Sequence, residues 1–139
     1  MAASLIFAIM DRNPHVRELI CRELSARGHR ANPVRSAAEA AGLLSGPLAP
    51  QVLVVDPEAA EGRLSEIAAA ARRLPGRVAL VLHVYGDAPA LGELPGALVV
   101  EKQAHLGPLL ALAESLSRGA APVAGGDVSG NEGARGAGV

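Results

Sequence analysis

Aromatic side chains are nearly missing from this 139-residue chain, which has one Phe, one Tyr and no Trp. The core must therefore be aliphatic. Half of the residues are hydrophobic, enough for a core without disulfides. The single cysteine, Cys21, excludes an internal disulfide framework and any multi-cysteine metal site. Lysine is equally scarce: Lys102 is alone, and the other twelve of the thirteen basic residues are arginine. A formal charge of −1 gives no general electrostatic pull toward nucleic acid or an anionic membrane, so neither is expected as a partner. No segment reaches the roughly 18 uncharged apolar residues of a spanning helix. The first apolar run, Leu5 to Met10, is closed by Asp11 and Arg12 and has no basic leader before it. A single cytoplasmic domain is the expectation.

What is present is a series of short apolar runs: Leu5 to Met10, Gln51 to Val55, Val78 to Leu82 and Ala97 to Val100, with a weaker candidate at His29 to Val34. Each is too short for a helix. Continuous apolarity, rather than alternation, marks strands covered on both faces, as in a parallel sheet. Helical patterns fill the gaps. Asn13 can cap a helix opened by Pro14, with Val16, Leu19, Ile20 and Leu24 on one face and Gly28 as its stop. Ser36-Ala-Ala-Glu39 has the form of a capping box for a helix ending near Gly46. Leu64, Ile67, Ala68, Ala71 and Leu74 make the next stripe, ended by Pro75-Gly76. A short helix is expected over Ala88 to Leu94, and a last one from Gly107 through Leu116. Five alternations of strand and helix, joined by right-handed crossovers, give a doubly wound α/β domain over residues 1–117. Residues 118–139 are rich in Gly and Ala without apolar periodicity and are expected to be a disordered tail.

In an open α/β sheet, ligands gather beyond the carboxyl ends of the strands. The candidate residues there are Asp11 and Arg12, then Asp56 with Pro57 and Glu58, then His83 with Tyr85-Gly86-Asp87, and finally Glu101 and Lys102. The ordered set resembles the receiver domain of two-component response regulators over roughly residues 4–117. MDRNPHVRELICRELSARGH looks like that family's first strand, acidic loop and first helix, and VLVVDPEAAEG like its phosphoacceptor strand. VALVLHVYGD looks like the fourth strand and following loop, and ALVVEK like the fifth strand with its terminal lysine. The 45-residue separation of Asp11 and Asp56 is also similar.

The resemblance implies a five-stranded parallel sheet of order 2-1-3-4-5 and a single-domain response regulator. Asp56 would accept a phosphoryl group, Lys102 would contact its oxygens, and Asp11 with Asp56 would hold magnesium. His83 takes the place of the hydroxyl residue that follows the phosphate in the family. A sensor histidine kinase or another signalling protein would be the partner, with a homodimer as a further form. No segment with a DNA-binding pattern follows residue 117, so the output would be a protein contact. Leu98, Leu106 and Leu109 are candidates for the docking face.

Several positions depart from the pattern. Arg12 stands where the second acid belongs, which removes an oxygen ligand and adds a repelling charge, so magnesium binding should be weak or absent. Pro57 has no N–H to offer a phosphoryl oxygen. Val99 stands at the switch aromatic, and Gln103 at the proline after the lysine. The alternative is therefore a phosphorylation-independent interaction module, with its site locked by Arg12 and Lys102. An enzyme is not expected. A nucleotide binder would need a Gly-rich loop after the first strand, and DRNP is not one. No Ser/His/Asp or Cys/His arrangement can be assembled.

Overall fold

Apolar runs that lie between two layers of helix must show hydrophobic side chains on both faces, and the strands do. The computed structural model describes residues 3–47, 49–60, 62–73, 78–85 and 97–119. Within them the chain runs β1 (Ile6–Met10), α1 (Pro14–Ala26), β2 (Arg30–Val34), α2 (Ala37–Leu44) and β3 (Val52–Val55). A 3-10 turn (Pro57–Ala60) follows, then α3 (Leu64–Arg72), β4 (Ala79–Val84), β5 (Leu98–Glu101) and α4 (Gly107–Ser117). All strand pairs are parallel and the sheet order is β2-β1-β3-β4-β5. This is the doubly wound, flavodoxin-like arrangement. The sequence-predicted helix over Ala88 to Leu94, the Leu74 end of the third stripe, Asp87 and the tail from residue 120 lie outside the described residues.

Two apolar layers sandwich the sheet. Ile20 and Leu24 of α1 and Leu109, Leu112 and Ala113 of α4 pack on Phe7, Ile9, Val54, Val81 and Val100. On the other face Ala40 and Leu44 of α2 and Ile67, Ala68 and Ala71 of α3 pack on Ala8, Met10, Leu53, Val55 and Leu82. Each large aliphatic side chain buried in this way contributes about 1.5–3 kcal/mol. Leu98 and Leu109 are 1% and 2% exposed, so they belong to the core and cannot form a docking face. Leu19 is 41% exposed, because the buried stripe of α1 follows Val16, Ile20 and Leu24 at four-residue spacing. Among the described residues, no helix is long and apolar enough to cross a membrane.

Local chemistry sets the element ends. The Asn13 side chain accepts from the backbone N–H groups of His15 and Val16 and caps α1. Gly28 ends that helix in the left-handed region, at φ 89°, where a Cβ would be strained. Ser36 accepts from Glu39 N at 3.1 Å, but Glu39 reaches back to Arg35 N rather than to the cap's own N–H. Gly107 N donates to His105 Nδ1 at 3.0 Å, which satisfies a first-turn N–H of α4 where Leu106 has no capping side chain.

Candidate functional site

The pleat decides which side chains meet at the carboxyl edge. Phe7 and Ile9 point to the α1/α4 face, and so do Val52 and Val54, Val81, and Leu98 and Val100. Continuing each strand at a period of two places Asp11, Asp56, His83 with Tyr85, and Lys102 on that same face. The register aligns them. Met10 lies beside Val55, and Val55 beside Leu82, so Asp11, Asp56 and His83 follow as lateral neighbours. Val84 pairs with Glu101, which brings Tyr85 level with Lys102.

Lys102 is the centre of the cluster. Its Nζ lies 2.9 Å from Asp11 Oδ2 and 3.4 Å from Asp56 Oδ2, and all three side chains are at least nine-tenths buried. The two aspartates are used in the same way. Asp11 Oδ1 accepts from Asn13 N at 2.9 Å, and Asp56 Oδ1 accepts from Glu58 N at 3.1 Å. In each case one oxygen organises the turn two residues on, and the other faces the lysine. Asp56 is thus both turn former and charge partner. Its Oδ2 makes ion pairs but no hydrogen bond.

Arg12 adds a second cation. Its Nε lies 3.5 Å from Asp56 Oδ2, and its Nη1 pairs with Glu58 Oε1. Arg12 and Glu58 are largely exposed, at 57% and 66% of their side-chain areas, so the pair forms the outer rim of the site. Tyr85, 69% exposed, shares that rim: Lys102 Nζ lies over its ring at 5.0 Å from the centroid, within cation–π range. Arg17, one turn into α1, donates from Nη1 to the carbonyl of Asp11 at 2.8 Å.

His83 differs from its expected setting. β4 runs to Val84, two residues past the expected end at Leu82, so the imidazole lies within the strand and not beyond it. The residue is 4% exposed and its Nδ1 has no hydrogen-bond partner. Burial pulls its pKa down from 6.5 to about 4, with the Lys102 charge adding to that effect and Asp11 and Asp56 opposing it. At neutral pH the ring is uncharged.

Asp11, Arg12, Asp56, His83 and Lys102, all named from sequence, therefore converge. The roles of Glu58 and Tyr85 were missed. Glu58 lies two residues after Asp56, and Tyr85 shares the strand parity of His83, but only the side-chain contacts of the folded structure show that either one reaches a cation. The divalent ion implied by the family does not fit this donor set. Two carboxylates converge, their facing oxygens are held by an ammonium group, and a guanidinium stands where a further oxygen ligand is needed. Among the described residues, no group of three or more His, Cys, Asp or Glu is arranged to hold a metal ion.

Solved structures share the fold. A fusion of the trimeric coiled coil of yeast Spc42 to another protein superposes with a TM-score of 0.71 at 20% identity, covering 85% of this chain and 78% of that one. A cysteine-to-serine mutant of RitR, a response regulator, gives a TM-score of 0.68 at 14% identity over 84% of this chain. The match covers 52% of RitR, so this chain spans about half of that protein's length. No family model and no curated protein matches the sequence. At these identities the likeness supports the doubly wound, flavodoxin-like α/β fold and nothing finer.

Proposed function

We propose that this chain is a receiver-like signalling module that acts by protein contact, without phosphorylation of Asp56. The observation that carries this reading is the saturation of Asp56 by internal cations. Its free oxygen already faces Lys102 and Arg12, and the residue after it is Pro57, which has no N–H to donate to a phosphoryl oxygen. Such a site holds one electrostatic state. In this reading the domain is cytoplasmic, is not an enzyme, and meets a signalling protein or a second copy of itself.

A second reading keeps Asp56 as a phosphoacceptor, signalling downstream of a sensor histidine kinase. It is favoured by one feature, the buried Asp56 Oδ2 that makes no hydrogen bond and lies beside the lysine. Intact-mass measurement after incubation with acetyl phosphate and magnesium separates the two, with Asp56→Asn as control and a working receiver labelled in parallel. The expected result is no adduct on the folded chain. A phosphoryl adduct that disappears in Asp56→Asn would establish the second reading instead.

A further inference from the structure

The buried trio of Asp11, Asp56 and Lys102 holds two negative charges and one positive charge, in a setting where all three side chains are at most 7% exposed. One negative charge is left over. Buried charge without a partner is costly, and a further cation beside the cluster lowers that cost. Arg12 is placed to do so. It follows Asp11 directly, and its guanidinium crosses from the β1 exit to the β3 exit, touching Asp56 through Nε and Glu58 through Nη1. Glu58 is itself tied back to Asp56, because its N–H donates to Asp56 Oδ1 at 3.1 Å. The three residues form a closed clasp.

Charge arithmetic identifies what the clasp replaces. A carboxylate at position 12 together with a bound divalent ion would add one net positive charge to the site. An arginine at position 12 adds the same charge without any ion. Resting on the reading of an unphosphorylated module, we propose that Arg12 is a tethered cation that takes the place of an acidic residue plus a divalent metal. It keeps the strand ends in a metal-loaded electrostatic state and excludes the metal. Exclusion has two causes, the lost oxygen ligand and the repulsion between a fixed guanidinium and an incoming dication. The domain's conformation is then independent of magnesium, and the contact face it presents is permanently set.

The test is a titration of the full chain with magnesium by calorimetry, and with manganese by paramagnetic broadening of backbone amide resonances. The wild type and Arg12→Lys, which keeps the charge, should show no broadening centred on Asp11 and Asp56 at millimolar ion. Arg12→Gln should gain binding, and Arg12→Asp should bind at least about tenfold more tightly than the wild type. Arg12→Asp should also melt higher when magnesium is added, while the wild-type midpoint stays fixed. If Arg12→Asp fails to fold without metal, the neutral Arg12→Gln variant carries the comparison. Wild-type binding within tenfold of Arg12→Asp, with the same amides broadened, would overturn the proposal. So would folded Arg12→Gln and Arg12→Asp proteins that remain blind to both ions. Acetyl phosphate labelling of the wild type is a separate readout: it tests the functional reading, whereas a metal-blind wild type whose variants gain no binding refutes the tethered cation alone.

Discussion

Acidification should unfold this domain partly through one imidazole. His83 is 4% exposed, its Nδ1 is unpartnered, and its pKa falls from 6.5 to about 4. Above pH 6.5 the ring is neutral in both folded and unfolded chains and contributes nothing to the pH dependence. Between 6.5 and about 4 the unfolded chain takes up the proton and the folded chain does not. The unfolded state then binds more protons, so stability falls as pH falls. Each pH unit costs about 1.4 kcal/mol, and the whole window about 3 kcal/mol. Against the roughly 5–15 kcal/mol of a typical domain, that is a large share.

Carboxylates contribute their own acid limb, so the informative quantity is a difference between two proteins. Urea denaturation of the wild type and His83→Leu should be measured across the window. Leucine fits the apolar layer beneath, where Val81 and Val100 lie, and it cannot titrate. The stability of the variant relative to the wild type should grow by about 3 kcal/mol as pH drops through the window. A difference that stays flat, or a His83 imidazole resonance of folded wild type, assigned by its loss in His83→Leu, titrating near 6.5, would refute the reasoning.

Two further substitutions test the site and its scaffold. Lys102→Met leaves Asp11 and Asp56 buried without their shared ammonium, and should cost about 3–5 kcal/mol by urea denaturation; a loss below about 1 kcal/mol, the range of an exposed pair, would show that the lysine is solvated instead. Asn13→Ala removes the side chain that caps α1 and should cost about 1 kcal/mol; an unchanged thermal midpoint would remove the cap from the account of how α1 starts.

The fold was legible because its strands are buried on both faces, and continuous apolar runs mark such strands directly. β1, β3 and β5 lie within a residue or two of the runs read from sequence. β2 was the faint one, and the structure explains why. It is an edge strand, half exposed, with Pro33 inside it. Arg30 N donates to Leu5 O, so alternation turns the Pro33 position away from β1, toward the open edge, where a missing N–H costs nothing. β4 was read two residues short because His83 interrupts its hydrophobic run. A polar residue buried inside a strand is the pattern that apolar runs cannot reveal.

The site was legible in membership but not in wiring. Strand ends can be read from the sequence, so Asp11, Asp56, His83 and Lys102 could be gathered at one edge of the sheet. Which oxygen meets which cation depends on side-chain reach and turn geometry. Asp56, which the resemblance reads as a phosphoacceptor, is in the structure both turn former and charge partner, one carboxylate oxygen for each role. Asp11 divides its two oxygens in the same way. Each aspartate is fixed by a backbone N–H of its own loop before it meets the lysine, so the ammonium joins two preset turns and need not order either. Arg12 and Glu58, by contrast, meet through side chains that are largely exposed. The Arg12–Glu58 rim is the weakest part of the site, because an exposed ion pair is worth at most about 1 kcal/mol while removing one partner of the buried pairs beneath it costs several times more.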